Sequence, residues 1–370
     1  MKITTSKDVL LKGMQAVQNA VSSKSTLPIL SHVLLEGGKQ GIRLTATDLE
    51  IGVSALVDGE VLEEGAVTIP ARKFGEIVKE LGSQGPVSIA LKKGQSVQIE
   101  SGKSYFRLVG LPREDFPQLP DFSSLSSKEV GVVKVPQRFI RNMLQLTSFA
   151  MSHDETRYVL NGILFSFKEK VLRLVGTDGR RLALVEREIP EMGSLRKDVI
   201  VPMKTIQELG RALSEEGEMG FYFKENQLQM QLGRVMIFSR LVEGEYPNYE
   251  QVIPKKIKEQ FRVNTQELLQ AAKRAGILTH QDSQSIKVNI IKDKVVISKN
   301  TPDVGEVREE LDVDYKGAEV TIGFNPAFLV DALKNIEEEQ IQFGFIDPEK
   351  PAVIKSGDAY TYIVLPMQVT

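Results

Sequence analysis

The chain predicts an α+β protein of three similar domains, each with two helices packed on antiparallel β-sheets. Three observations lead there. At 370 residues it exceeds what one hydrophobic core organises. A block reading helix, then three alternating strands, recurs three times. A second block, again helix then strands, precedes each copy.

The first block opens "VTIPARKF", "VIVPMKTI" and "VTIGFNPAF", spanning residues 67–120, 199–254 and 320–368. Apolar residues at helical spacing give way in each copy to period-two alternation broken by Gly- or Asn-containing turns. The upstream helices are "KDVLLKGMQAVQNAV", "QRFIRNMLQLTSFAM" and "TQELLQAAKRAGIL". Strands ending "GIRLTATD", "KVLRLVGTD" and "KVVISKNTPD" follow them. The period is far above that of a solenoid repeat, so three homologous domains are expected at 1–127, 128–253 and 254–370, with boundaries near Lys128 and Pro254.

Composition narrows the function. Hydrophobic residues at 41% and charged residues at 26% are ordinary for a globular protein. No apolar run approaches the roughly 18 residues that span a bilayer. The opening "MKITTSKDVLLKGMQ" lacks the apolar core of a signal peptide, so the cytoplasm is expected. Without cysteine there is no disulfide framework and no thiolate chemistry. With 47 basic against 49 acidic residues, nucleic-acid binding by bulk positive charge is disfavoured, though a basic face balanced elsewhere is allowed.

The stretch "LVGTDGRRLAL" (174–184) resembles a catalytic loop, yet "LTATDLEIGVS" repeats its Thr-Asp one domain earlier. Thr-Asp at a strand end builds a turn, because the aspartate accepts a backbone N–H two residues on. Asp48 and Asp178 are therefore read first as architecture. Only the second copy continues Gly179-Arg180-Arg181-Leu182. No phosphate-binding glycine loop occurs, and His32, His153 and His280 stand one per domain without metal spacing. No catalytic residue, metal or cofactor is expected. A hydrolase built on Asp178 with Arg180 or Arg181 lacks a nucleophile.

Every helix carries a basic residue off its apolar stripe. In the first, Val9, Leu10, Met14, Val17 and Val21 form the stripe and leave Lys7 and Lys12 outward. The second offers Arg72, Lys73 and Lys79; the others offer Arg138 and Arg141, Lys204 and Arg211, Lys273 and Arg274, and Lys334. In a chain of net charge −2, this pattern points to a helical layer more basic than the rest.

With "TLPIL", "TATDLEI", "IPARKF", "FPQLP", "RYVLNGILF", "GTDGRRLA", "YPNYEQVIP", "GFNPAFL" and the tail "LPMQ", the chain resembles the beta subunit of bacterial DNA polymerase III, the sliding-clamp family, along its whole length. The resemblance implies the DNA clamp fold, six domains per ring, in a head-to-tail homodimer encircling duplex DNA. It implies a non-catalytic processivity factor that tethers the DNA polymerase III alpha subunit, the clamp loader delta subunit, and other polymerases and repair proteins. Geometry agrees: domains of roughly 35 Å diameter leave a hole of about 5 Å in a ring of three and about 35 Å in a ring of six. A duplex about 20 Å across passes only the second, so two chains are needed.

The resemblance also assigns residues. DNA contact maps to Lys24, Arg72, Lys73, Tyr158 and Lys204. A pocket for partner peptides maps to Leu160, Thr177, Gly179, Arg180, Arg181, Leu182, Pro247, Val252 and Asn325, with the tail Val364, Leu365, Pro366 and Met367. The dimer seam maps to Phe106 and Leu108 meeting Ile277 and Leu278 of the other chain. This chain departs from the family pattern at Asp154 and Val159 near the DNA loop, and at Arg180, Gln251 and Gln368 around the pocket. A DNA-independent scaffold using the same pocket is the alternative reading.

Overall fold

The computed structural model describes residues 1–22, 27–82, 85–120, 131–192, 195–280 and 283–368. Lys24 and the junction around Lys128 lie outside the described residues. The first repeat runs β1 (Lys2–Thr5), α1 (Lys7–Val17), β2 (His32–Gly38), β3 (Gly41–Thr47), β4 (Ile51–Val57), β5 (Glu60–Glu63), β6 (Gly65–Pro70), α2 (Ala71–Glu80), β7 (Val87–Lys92), β8 (Ser96–Ser101) and β9 (Ser104–Val109). The second runs β10 (Gly131–Pro136), α3 (Gln137–Thr147), β11 (Gly162–Lys168), β12 (Val171–Thr177), β13 (Arg181–Glu188), β14 (Arg196–Pro202), α4 (Met203–Ala212), β15 (Glu218–Lys224), β16 (Gln227–Leu232) and β17 (Val235–Arg240). The third runs β18 (Glu259–Asn264), α5 (Thr265–Gly276), β19 (Ile286–Ile291), β20 (Lys294–Thr301), β21 (Gly305–Asp312), β22 (Val320–Phe324), α6 (Pro326–Leu333), β23 (Gln340–Phe345), β24 (Ala352–Ser356) and β25 (Tyr360–Val364). Two helices recur in every repeat, with three strands after the second, as the spacing predicts, and five, four and four strands between the first and the second.

Local chemistry sets the helix starts. Ser6 Oγ accepts from the Val9 amide, and Asn264 Oδ1 accepts from the amides of Gln266 and Glu267 at 3.0 Å. Asn325 Oδ1 does the same for Ala327 at 2.9 Å. In α1 the buried stripe is Leu10, Met14 and Val17. The helix ends there, earlier than the spacing through Val21 predicts. Lys7 is half-buried and donates to the Leu81 carbonyl, so it does not face outward as expected.

The chain gathers into two compact units, with cuts inside α3, inside α4 and just after β17. The first unit is Met1–Arg138 with Gln207–Leu241. It holds a five-stranded sheet, β5-β1-β7-β8-β9, and an eight-stranded sheet, β10-β15-β16-β17-β4-β3-β2-β6. The second unit is Phe139–Ile206 with Val242–Thr370. It holds a second eight-stranded sheet, β14-β11-β12-β13-β25-β24-β23-β18, and a four-stranded sheet, β21-β20-β19-β22. Each eight-stranded sheet is thus two four-stranded halves from successive repeats, joined backbone to backbone. Its joint is β17·β4 in one unit and β25·β13 in the other.

One face of the second joint packs on helices. Tyr362 Oη donates to the Phe328 carbonyl of α6 at 2.9 Å, and Phe324 meets Phe343 edge-on. The other face carries Leu164, Val175, Leu182, Leu184, Val353 and Ile363, with Tyr249 and the half-buried Val159, Val242, Tyr246, Ile253 and Ile257 laid over them. Directly opposed residues share a face of an antiparallel sheet, and the register confirms the set.

Candidate functional site

The Thr-Asp turn is the same device in both repeats. Thr177 Oγ1 donates to the Arg181 carbonyl at 2.6 Å and accepts from the Gly179 amide at 3.1 Å. Asp178 Oδ1 accepts from the amides of Arg180 and Arg181 at 2.9 and 3.0 Å. In the first repeat Thr47 donates to Ile51 O and accepts from Leu49, while Asp48 accepts from Glu50 and Ile51, all within 3.0 Å. The architectural reading of Asp48 and Asp178 holds. The other Asp178 oxygen accepts from Arg181 Nε at 3.0 Å, so both carboxylate oxygens serve the turn.

The turn needs a left-handed residue at its third position. Gly179 takes φ +83° without strain, whereas Leu49 takes φ +79° at the corresponding place. Arg157 braces the second turn by donating from Nη1 to the Asp178 carbonyl at 2.8 Å. It is itself held by Asp154 at 3.0 Å.

Arg181 is the most committed side chain of the turn, only 10% exposed. It binds Asp178, Asp331 Oδ2 at 2.8 Å and the Phe149 carbonyl at 2.7 Å, and its guanidinium lies 4.5 Å from the Phe328 ring centre. Burial alone would raise the Asp331 carboxyl. The Arg181 and Lys334 hydrogen bonds outweigh it and hold Asp331 below the ordinary carboxylate range. Arg181 is therefore a brace for the turn.

The C-terminal tail runs alongside. After Val364 pairs with Arg181, the Leu365 amide donates to the Arg180 carbonyl at 3.0 Å, and the Met367 amide donates to Gly323 O at 2.8 Å. The tail is pinned at both ends, yet Leu365 and Met367 remain 38% exposed. Val252 is 47% exposed on the overlying loop. Pro247, Gly179 and Arg180 are exposed too, and Pro366 is half-buried. Leu160, Thr177, Leu182 and Val364 are buried. Asn325 is occupied as the α6 cap. The expected set thus divides into an apolar floor, a backbone frame and an exposed apolar rim of Val252, Leu365 and Met367. Sequence reasoning missed Tyr246. It donates to the Val175 carbonyl at 3.2 Å, and burial pushes its phenol pKa up. The Tyr-Pro pair before "NYEQVIP" is the signal that marks it.

The first joint copies this frame with different chemistry. Thr45, Gly52 and Ser54 stand where the second joint has Val175, Leu182 and Leu184. A cavity of about 510 Å³ there is lined by Arg43, Thr45, Ser54, Arg113 and Phe238 among others. Among the described residues, the second joint has the larger apolar cluster.

The expected DNA residues fall on both units. Arg72 and Lys73 lie exposed on α2 and both bind Glu76, at 3.1 and 2.8 Å. Lys204 is half-buried on α4. Tyr158 is 58% exposed on a 3-10 turn, Glu155–Leu160, close to Gly244 of the loop over the apolar floor. The six helices carry Lys7, Lys12, Arg72, Lys73, Lys79, Arg138, Arg141, Lys204, Arg211, Lys273 and Arg274 against Asp8, Glu76, Glu80, Glu208, Glu267 and Asp331. They are net positive within a chain of net charge −2. Among the described residues no cluster of three His, Asp or Glu is placed to hold a metal, and no helix is long and apolar enough to cross a membrane.

Of the residues expected at the seam, Phe106 and Leu108 lie opposite the buried Ile99 and Val97, on the inner face of their sheet. Phe106 is still 37% exposed, because β9 is the last strand. Ile277 is 76% exposed at the end of α5, and Leu278 is half-buried.

Comparison with known proteins places this geometry. Family models of the DNA polymerase III beta subunit match in order: the N-terminal domain at 1–120, the central domain at 134–248 and the C-terminal domain at 250–368. The beta sliding clamp of Proteus mirabilis is 35% identical over 375 residues, and that of Chlamydia muridarum 32% over 369 residues, covering 100% of this chain and 100% and 99% of theirs. The crystal structures of the sliding clamps of Pseudomonas aeruginosa and Bacillus subtilis superpose with TM-scores of 0.93 at 34% and 31% identity, over 100% of both chains. With three clamp domains in the α+β clamp fold, the chain belongs to the DNA polymerase III beta subunit, or beta sliding clamp, family.

Proposed function

We propose that two copies of this chain close head to tail into a ring around duplex DNA and act as a non-catalytic processivity factor of the DNA polymerase III holoenzyme. The three domains run 1–127, 128–253 and 254–370. The ring works in the cytoplasm, needs no cofactor and slides without sequence preference, because topology supplies retention and a few phosphate contacts suffice. Arg72, Lys73, Tyr158 and Lys204, with Lys24, contact DNA. The groove at the second joint tethers the polymerase alpha subunit, the clamp loader delta subunit, and other polymerases and repair proteins by short apolar peptides.

The observation that carries the reading is a rule of strand pairing. At both joints, the third strand after one repeat's second helix pairs with the third strand after the preceding repeat's first helix. The rule leaves β9 and β21 unmatched, at the edges of their sheets. A second copy satisfies it by pairing its β9 with β21, and two such joints close the circle. The sides differ in charge: Lys103 precedes β9 and Arg107 lies on it, while β21 carries Glu306, Glu309, Glu310 and Asp312 against one cation, Arg308, with Glu309 and Glu310 already bound by Arg274, Lys294 and Arg308. Apolar residues on an uncovered edge are an aggregation hazard, which a partner strand removes.

The test is retention. Loaded onto a closed DNA circle, the protein should co-elute with it at moderate salt and fall off once the circle is cut. Equal retention on circular and linear DNA would rule out encirclement, and peptide binding without either would leave a DNA-independent scaffold.

A further inference from the structure

The sheet face bearing the apolar floor, where the proposed partner groove lies, continues past it into a cationic strip. On β24, Lys355 shares a face with Val353, and it stands opposite Gln342 of β23, which stands opposite Arg262 of β18. The same face of β23 presents Gly344, and here the linker between the second and third repeats lies down. A Cβ at position 344 would meet Ile257 Cγ2 at 2.8 Å, so the missing side chain is what lets Ile257 dock. The Lys258 amide donates to the Phe345 carbonyl at 3.2 Å, fixing the linker's end. With Ile257 facing down, Lys255, Lys256 and Lys258 are exposed beside it.

Lys255, Lys256, Lys258, Arg262 and Lys355 are therefore five exposed cations on one surface. Among the described residues none of them has a carboxylate within ion-pair distance. The nearest acid in sequence, Glu259, turns to the opposite face, with its carboxylate against Gly317 and Tyr315. Asp347, Glu349 and Asp358 stand in the hairpin loops at the strand ends. Exposed cations elsewhere include paired ones, such as Arg196, Arg234, Lys294 and Lys316, and scattered ones on helices, such as Lys12 and Lys79. An unpaired cluster in a chain of net charge −2 concentrates positive potential at one place. The face also lies opposite the one packed on α6, so it is separate from the helices offered for DNA. Val353 belongs to the apolar floor and Ile257 lies over it, so the strip adjoins the proposed groove.

We propose that this strip binds a run of Asp and Glu in a partner protein whose neighbouring apolar residues occupy the groove. The proposal rests on the groove being the partner site. The apolar end supplies anchoring. The acidic end supplies orientation and a faster encounter, sensitive to salt.

Three fluorescein-labelled peptides test it by anisotropy on the full-length protein: hexaglutamate, hexaserine, and Leu-Phe followed by hexaglutamate. Hexaglutamate should bind about tenfold tighter than hexaserine at low salt and lose most of that gain near 0.5 M salt. The double variant Lys256→Glu/Lys355→Glu should abolish the gain and leave thermal stability unchanged. Adding Leu-Phe should tighten binding further, and Met367→Ala should remove only that increment. Equal binding of hexaglutamate and hexaserine, or a gain that survives charge reversal, would overturn the strip. If instead the Leu-Phe increment alone is missing, the groove assignment fails while the strip stands. Loss of duplex-DNA affinity in the charge-reversed variant, with hexaglutamate binding unaltered, would assign the strip to DNA and also overturn the proposal.

Discussion

Arg181 and Asp331 lie 150 residues apart and meet at 2.8 Å, tying the turn after β12 to the helix α6 of the next repeat. The contact is neither a free surface pair nor a sealed one: the two side chains are 10% and 28% exposed. Arg181 meets Asp178, the Phe149 carbonyl and two aromatic rings at the same point. Removing one partner from a mostly buried charged pair leaves the other uncompensated, which costs more than the pair itself contributes.

Asp331→Ala is therefore expected to destabilise the protein by about 2 kcal/mol, read as a lowered denaturant midpoint. The pH dependence has a definite sign. Asp331 is held below its ordinary range in the folded state, so its contribution is complete above the carboxylate range and fades as pH falls through the folded value. The stability gap between wild type and Asp331→Asn should be full at pH 6 and should shrink below about pH 4. A gap that widens toward acid would show that Asp331 is not held by Arg181.

Met367 presents its side chain 38% exposed from a backbone pinned to Gly323. Because the main chain is already ordered, apolar contact there is made at little entropic cost. Met367→Ala should weaken an apolar clamp-binding peptide by about 1–3 kcal/mol in a calorimetric titration, with little change in thermal midpoint. Unaltered affinity would remove Met367 from the groove.

The proposed seam would rest on Phe106 and Ile277, 37% and 76% exposed, beside the half-buried Leu108 and Leu278. Ile277→Ala with Leu278→Ala should convert dimer to monomer in sedimentation velocity, while circular dichroism stays that of the folded protein. A double variant that sediments as a dimer would move the contact to another edge.

The repeats were legible because helix and strand spacing is written in side chains, three times over. Which strands join successive repeats was not. β17·β4 and β25·β13 are backbone pairings, and no residue type announces a partner strand in another repeat. Roles inside the groove were only half legible. Thr177 and Asp178 behave as turn chemistry requires, and Leu182 reads as apolar and is buried. Arg181 and Asn325 come to the site as polar residues by resemblance, yet one is spent on Asp331 and the other on capping α6. Gly344 gave no signal at all. Its reason is the approach of Ile257, a contact between segments that a linear text does not place together.

Glu76 sits on α2 between the two cations expected to meet phosphate. Its carboxylate accepts from Lys73 and Arg72, and those bonds hold its pKa below the usual range. At neutral pH it would compete with DNA for both side chains, which on the proposed reading keeps contact weak and sliding easy. Glu76→Gln removes the competitor without changing shape. Affinity for a short non-specific duplex should rise by roughly three- to tenfold at low salt, and the slope of log affinity against log salt should steepen by about one. Arg72→Ala should move both in the opposite direction. If Glu76→Gln leaves affinity and slope where they were, Arg72 and Lys73 do not touch the duplex, and the DNA path lies along other helices.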